Sequence, residues 1–133
     1  MPFDTSERSA PVRTLNAPPG ELPVAARIID EMLEILGPNG ENWIQQEERL
    51  GQKFCIIGAL KHAEHLLRVD TCNRTHTLIS EAIGRCHNTD DCIATFNDRP
   101  DRQFSDIREA LLIAKCEALI RTRRGFAGVR RYA

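Results

Sequence analysis

Cys55 is the residue of this sequence best placed to do chemistry. It stands at the start of a predicted helix, in the stretch Phe54-Cys-Ile-Ile-Gly-Ala-Leu60. Free backbone N–H groups and the positive end of the helix dipole favour a thiolate at such a position. A nucleophilic thiolate needs a base, which His76 or His87 could supply, and Asn97 could orient that base. No signature of a cysteine hydrolase is present, so a small buried hydrophobic Cys55 is the favoured alternative.

The sequence contains only incomplete sets of possible metal ligands. The possible soft ligands are Cys72 with His76, and Cys86-His87 with Cys92. Structural zinc sites usually combine two compact pairs such as C-x-x-C, and no such pair occurs here. The nearby acids are Asp90, Asp91, Asp98 and Asp101. They lack the EF-hand order and suit helix capping and turns, so the sequence predicts no metal and no cofactor.

Two further features are candidates for binding. Trp43, the single Trp of the chain, is expected to anchor its segment to the core, and an exposed aromatic contact is the alternative. The pair Asn97-Asp98 follows a predicted short helix. Both side chains can hydrogen-bond the backbone and fix a junction, so a structural role is favoured over a binding role.

The C-terminal stretch is strongly basic. Residues 121–133 contain no acid and five arginines, namely Arg121, Arg123, Arg124, Arg130 and Arg131. The whole chain has a net charge of −1, so the other 120 residues carry −6. Arginine beside Phe126 and Tyr132 is a composition that contacts phosphate and stacks on bases. Docking on an acidic surface, of this chain or of a partner, is the favoured alternative.

Helical periodicity dominates the elements that must position these residues. Apolar residues recur at helical spacing from Pro23 to Leu36, from Cys55 to Arg68, from Thr77 to Cys86, around Cys92 to Phe96, and from Ser105 to the Arg121–Gly125 stretch. Residues 42–53 are predicted to form a further short helix, and no strand pattern is found. Gly58 is expected to permit the close approach of another backbone. The predicted fold is therefore an all-α, compact single-domain bundle of about five helices (23–122), with a flexible arm (1–22) and a basic tail (123–133).

The last predicted helix is apolar over much of its circumference. One stripe contains Ile107, Ala110, Leu111, Ala114, Ala118 and Leu119, and a second set, Leu112, Ile113, Cys116 and Ile120, widens it. Such a helix is expected to lie at the centre of the fold. Cys86, Cys92 and Cys116 are expected to be buried on apolar helical faces.

The order of the motif residues along the chain also resembles that of a known protein family. The order of Trp43, Cys55-x-x-Gly58-Ala59-Leu60, Phe96-Asn97-Asp98 and a long closing helix resembles a family of small uncharacterised bacterial and phage proteins, over about residues 24–119. Phe96 stands where Trp is usual in that family. The resemblance implies a shared helical domain and implies no particular activity.

The composition of the sequence limits the cellular compartments and the classes of function that we consider. The cysteine count of five is odd, and neither a secretory signal nor an apolar stretch of about 20 residues is found. These observations predict a cytoplasmic protein with free thiols and no membrane contact. The leading prediction is binding to another protein without catalysis. The alternatives are a thiol-dependent enzyme using Cys55 and a nucleic-acid accessory protein using the arginine tail.

Overall fold

Five helices and one small hairpin make up the part of the chain that the computed structural model describes. That part is residues 21–69 and 73–132, with the backbone alone described for residues 21 and 124–132. The elements in chain order are α1 (Glu21–Leu36), β1 (Arg49–Leu50), β2 (Lys53–Phe54), α2 (Ile56–Leu67), α3 (Asn73–His87), α4 (Ile93–Asp98) and α5 (Phe104–Tyr132). The predicted all-helical bundle is confirmed. The predicted arm lies almost entirely outside the described residues.

The segment 42–53 differs from its predicted short helix. It forms a loop and an antiparallel hairpin in which Arg49 pairs with Phe54 and Leu50 with Lys53. Gly51 has φ +63° in the two-residue turn, a conformation that glycine adopts without steric cost. Phe54 also exchanges backbone hydrogen bonds with residues 42 and 44, at 2.8 and 3.0 Å. These pairings provide partners for backbone N–H and C=O groups that would bond to one another within the segment if it were a helix.

Several helix boundaries also differ from the prediction. Helix α1 begins two residues before Pro23, and α3 begins at Asn73, four residues before its predicted start at Thr77. Helix α5 continues to Tyr132 and passes its predicted end at Arg121–Gly125. The C-terminus of α1 is as predicted, because Gly37 adopts φ +86° and its N–H bonds the carbonyl of Leu33 at 3.0 Å.

The hydrophobic core lies where α1 and α3 pack against α5 and where α1 packs against α2. Its largest fully buried side chains include Ile28, Ile29, Met32, Leu36, Ile56, Leu78, Ile79, Ile83, Phe96, Ile107 and Leu111. Ion pairs cross the same contacts at the surface: Lys115 lies 2.7 Å from Asp30 of α1 and Arg121 lies 3.0 Å from Glu81 of α3. Both of the other long helices, α1 and α3, thus pack against α5.

Helix α5 was expected to lie at the centre of the fold, but the described residues do not enclose it on all sides. Its first predicted stripe is buried from Ile107 to Ala118, which confirms that side as core. On the opposite side, Leu112 and Ile113 are only half-buried, and Cys116 is exposed. Leu119 and Ile120 are exposed by 48% and 44%.

Two further burial expectations were wrong. Cys92 is exposed, and Cys86 is only half-buried. Glu64 of α2 is buried, with 7% of its surface exposed. Within the described residues no helix is both long and apolar enough to cross a membrane.

Candidate functional site

The residues of the sequence motif meet at the N-terminus of α2. Trp43 comes from the loop before the hairpin, Cys55 caps α2, and Asn97 and Asp98 end α4. These three segments are distant in sequence. A single side chain, Asn97, joins them.

Asn97 is fully buried and its amide makes four hydrogen bonds. Its Oδ1 accepts from Nε1 of Trp43 at 2.8 Å and from the backbone N–H of Ile56 at 3.1 Å. Its Nδ2 donates to the carbonyl of Ile44 at 3.1 Å and to Oδ1 of Asp98 at 2.9 Å. Two donors and two acceptor positions are the full capacity of an amide side chain. Asn97 therefore fixes the loop, the start of α2 and the end of α4 in one arrangement.

Two glutamines extend this junction, and the sequence analysis did not single out either one. Nε2 of Gln45 donates to the carbonyls of Asn97 and Arg99 at 2.9 and 2.7 Å. The backbone N–H of Gln46, a residue with φ +71°, donates to Oδ1 of Asp98 at 2.8 Å. The partners lie 52 or more positions away, so no local pattern could have indicated them. The amide of Asn97 and Oδ1 of Asp98, the predicted binding pair, are therefore engaged within the chain itself.

Cys55 is buried, with 7% of its surface exposed. Its Sγ accepts a hydrogen bond from the backbone N–H of Gly58 at 3.4 Å, so it acts as the N-cap of α2. Desolvation by burial raises the pKa of the Cys55 thiol above its ordinary value, and the nearby carboxylates of Asp98 and Glu48 act in the same direction. These effects outweigh the two backbone N–H groups, which lower the pKa. The environment therefore favours the neutral thiol.

The histidines considered as bases, His76 and His87, both belong to α3. His76 is exposed on α3. His87 is half-buried and its ring packs edge-on against Phe96, with centroids 4.8 Å apart. Asn97, which was proposed to orient the base, accepts a hydrogen bond from the peptide N–H of Ile56.

Gly58 allows two backbones to touch, as predicted from the sequence. A Cβ atom at this position would overlap the backbone carbonyl of Glu48. That carbonyl accepts a hydrogen bond from the N–H of Cys55 at 3.2 Å. The glycine thus lets the residue before the hairpin lie against the first turn of α2.

A shallow cavity of about 240 Å³ lies beside this contact, between the hairpin and α2. Its cationic groups already have partners. Lys61 pairs with Glu48 at 3.2 Å, and the Arg49 guanidinium lies 4.8 Å from the centroid of the Phe54 ring. Within the described residues, no group of three or more His, Cys, Asp or Glu side chains could hold a metal ion. Cys72 lies outside those residues.

The arginines of the C-terminal stretch are only partly described. Arg121 donates to Glu117 at 2.8 Å and to Glu81 at 3.0 Å, and these hydrogen bonds raise the pKa of its guanidinium. Arg123 is exposed. The side chains of Arg124, Arg130 and Arg131 lie outside the described residues.

The second feature that could bind a partner is the outward side of α5. We call the residues Leu112, Ile113, Cys116, Leu119 and Ile120 the outer stripe. At 100° per residue they lie within about 60° of Cys116, opposite the buried Ala114 and Ala118. The N-terminal half of the outer stripe lines an open groove of about 400 Å³, together with Ser105, Arg108 and Glu109. The C-terminal half carries Leu119 and Ile120, the two most exposed large apolar residues among the described side chains of the helix.

The fold and the junction define a small helical domain whose loop, hairpin and helices are tied together by a buried asparagine. The chain belongs to a family of unknown function, DUF6197, whose model matches residues 21–115. The resemblance to an uncharacterised family is thereby confirmed. The match contains the whole Asn97 junction and ends one residue before Cys116. No curated protein and no solved structure matches the chain.

Proposed function

We propose that this protein acts by binding another protein and that the outer stripe of α5 is the binding surface. The observation that carries the proposal is the second apolar side of α5, which the described residues leave uncovered. Exposed apolar patches on soluble proteins commonly mark interaction sites. An amphipathic helix face with residues at i, i+4, i+7 and i+8 is a common form of such a site.

Covering the outer stripe would contribute favourably to the free energy of association. Full burial of a Leu or Ile side chain is worth about 1.5–3 kcal/mol. Leu119 and Ile120 are each exposed by about half, so each would contribute about 1 kcal/mol on association. The half-buried Leu112 and Ile113 would add to this through the groove.

Binding is supported over thiol catalysis by the surroundings of Cys55. A reactive cysteine needs an accessible, stabilised thiolate, whereas Cys55 is buried with a raised pKa. Binding through apolar contacts is also supported over nucleic-acid binding through the tail. Arg121, the first arginine of the tail, is held by two carboxylates.

The proposal can be tested with a photocrosslinker at the outer stripe. Cys116 would be labelled with a benzophenone maleimide in a chain whose Cys72 and Cys92 are replaced by Ser, and the labelled protein would be irradiated in an extract of the source cells. We expect an adduct of defined mass that disappears with Ile120→Glu and persists with Leu66→Glu. Leu66 is the matched control because it is 49% exposed on α2.

A label at Cys92, which is exposed at the start of α4, controls for non-specific reaction. The proposal fails if the Cys116 label gives no protein adduct. It also fails if both labels give the same adducts, or if Ile120→Glu leaves the adduct unchanged.

A further inference from the structure

We infer that the partner bound by the outer stripe is a second copy of this chain, paired antiparallel along α5 about a two-fold axis near Cys116. This inference rests on the proposed function, because it identifies the partner of the same surface. Three properties of the stripe carry it: its symmetry about Cys116, the groove and protrusion at its two ends, and the charges that flank it.

The apolar residues are arranged symmetrically about Cys116. Leu112 and Ile120 lie four residues before and after it, and Ile113 and Leu119 lie three residues before and after it. When two such helices pair antiparallel about Cys116, Leu112 lies opposite Ile120 of the second copy and Ile113 lies opposite Leu119. The small Cys116 side chains then meet at the axis, where the two backbones approach most closely. Each apolar residue of the outer stripe then faces an apolar residue of the second copy.

The shape of the stripe is complementary to itself. The groove of about 400 Å³ lies between Ser105 and Cys116, and the exposed Leu119 and Ile120 lie on the other side of Cys116. An antiparallel pairing places Leu119 and Ile120 of each copy over the groove of the other. An interface in which the same patch serves both subunits is the isologous contact of a two-fold dimer.

The charges at the ends of the stripe are also complementary in this arrangement. Glu109 lies seven residues before Cys116 and Arg123 lies seven residues after it. Both side chains are exposed, and neither belongs to the ion pairs found among the described side chains. The two-fold axis brings Glu109 of each copy to Arg123 of the other, which gives two opposite-charge contacts. A parallel pairing would place Glu109 against Glu109 and Arg123 against Arg123, which is repulsive.

The first test measures the oligomeric state of the full-length protein by sedimentation velocity over a range of concentrations under reducing conditions. We expect a reversible monomer–dimer equilibrium. Ile120→Glu should raise the dissociation constant at least tenfold, since each 1.4 kcal/mol is a factor of ten. Leu66→Glu should leave the dissociation constant unchanged. Circular dichroism of each variant would verify that the fold is retained.

The second test uses charge reversal, which discriminates a second copy from any other partner. Glu109→Arg and Arg123→Glu should each weaken the dimer. The double variant should recover most of the wild-type affinity, because the two charges exchange places across the axis. The two single variants mixed together should form a heterodimer more readily than either forms a homodimer, because both charge contacts of the heterodimer pair a glutamate with an arginine.

The third test locates the axis. Diamide oxidises two thiols to one disulfide and takes up the two electrons and two protons. In a chain with Cys72→Ser and Cys92→Ser, oxidation should yield a dimer linked through Cys116, identified by the mass of the joined peptides. Cys116→Ser should abolish this product.

A monomer at every concentration overturns the inference, and so does a dimer that Ile120→Glu leaves intact. If the chain is monomeric and the Cys116 photocrosslinker still yields a heterologous adduct, the proposed function stands and the second-copy inference fails. If neither a dimer nor an adduct forms, both fail. If deleting residues 1–20 is required before Cys116 becomes reactive and the dimer forms, the N-terminal segment occupies the stripe and the inference is overturned for the full chain.

Discussion

Oδ1 of Asn97 accepts a hydrogen bond from the indole nitrogen of Trp43 at 2.8 Å, across 54 positions of sequence. The same oxygen accepts from the backbone N–H of Ile56. One buried atom therefore connects the loop before the hairpin to the first residue of α2. The motif residues that suggested a functional site hold the N-terminus of α2 in place.

Asn97→Ala should be strongly destabilising. The substitution leaves the N–H groups of Trp43 and Ile56 and the carbonyl of Ile44 without their partner. A buried polar group left unsatisfied costs about 1–3 kcal/mol. We therefore expect the free energy of unfolding, measured with urea, to fall by about 3 kcal/mol or more.

Glu47→Ala is the matched control for this experiment. Glu47 is exposed in the same loop, and a surface substitution of this kind usually changes stability by less than about 0.5 kcal/mol. A loss of less than about 1 kcal/mol for Asn97→Ala would contradict the role assigned to Asn97.

Gly58→Ala should destabilise the protein although alanine has the higher helix propensity. Alanine is worth up to about 1 kcal/mol over glycine in a helix interior, but its Cβ here would overlap the carbonyl of Glu48. Gly84→Ala in α3 is the control, because the nearest atom to its Cβ would be the carbonyl oxygen of Thr89 at an ordinary 3.6 Å. Urea denaturation should show a lower stability for Gly58→Ala and an equal or higher stability for Gly84→Ala. The opposite order would show that the backbones do not touch at Gly58.

The described thiols should differ sharply in reactivity. Cys92 is exposed, and its hydrogen bond with the Thr95 hydroxyl at 3.2 Å lowers the pKa of the thiol. Burial raises the pKa of the Cys55 thiol. Site-resolved alkylation of the native protein should therefore modify Cys92 first and Cys55 only on unfolding. Rapid modification of native Cys55 at neutral pH would return the thiol-enzyme alternative to first place.

The raised pKa of Cys55 also predicts a pH effect on stability. The thiol ionises more readily in the unfolded chain than in the folded one. Its contribution is therefore complete below the unfolded pKa of about 8.5 and is lost as pH rises from there through the higher folded value. Cys55→Ala should reduce the loss of stability above pH 8.5. An unchanged alkaline profile would count against this assignment.

Asp91 should support the fold at neutral pH and cease to do so in acid. Its carboxylate accepts two hydrogen bonds from Arg99, at 2.9 and 2.7 Å, and these lower the pKa of Asp91. A carboxyl with a depressed folded pKa stabilises the protein above its unfolded pKa of about 3.9, and the stabilisation is lost as pH falls through the folded value. Asp91→Asn should thus be less stable than the wild type at pH 6, and the difference should shrink towards pH 2. A difference of equal size at pH 6 and at pH 2 would contradict this assignment.

The helices could be predicted because their signals are local. Apolar spacing in α1, α2 and the buried side of α5, together with Gly37 at the end of α1, lies within a few turns of sequence. The hairpin could not be predicted in this way, because Arg49 to Phe54 show no alternation of apolar and polar residues. Its strands are stabilised by pairing with each other and with residues 42–44.

The sequence singles out several residues of the junction but not their arrangement. Trp43, Cys55, Gly58, Asn97 and Asp98 were all recognised as unusual positions. The contacts of Gln45 and Gln46 with α4 depend on folding alone and leave no sequence periodicity. The outer stripe shows a different limit: an apolar residue at helical spacing reads the same whether it faces the core, as Leu111 does, or solvent, as Ile120 does.

The junction at Asn97 also determines how this region can open. The amides of Ile56 and Gln46 are held by side-chain oxygens of the adjacent residues Asn97 and Asp98. Withdrawal of the end of α4 breaks both of these hydrogen bonds together. Their hydrogen exchange is therefore coupled, and the loop and the end of α4 form one cooperative unit of local unfolding.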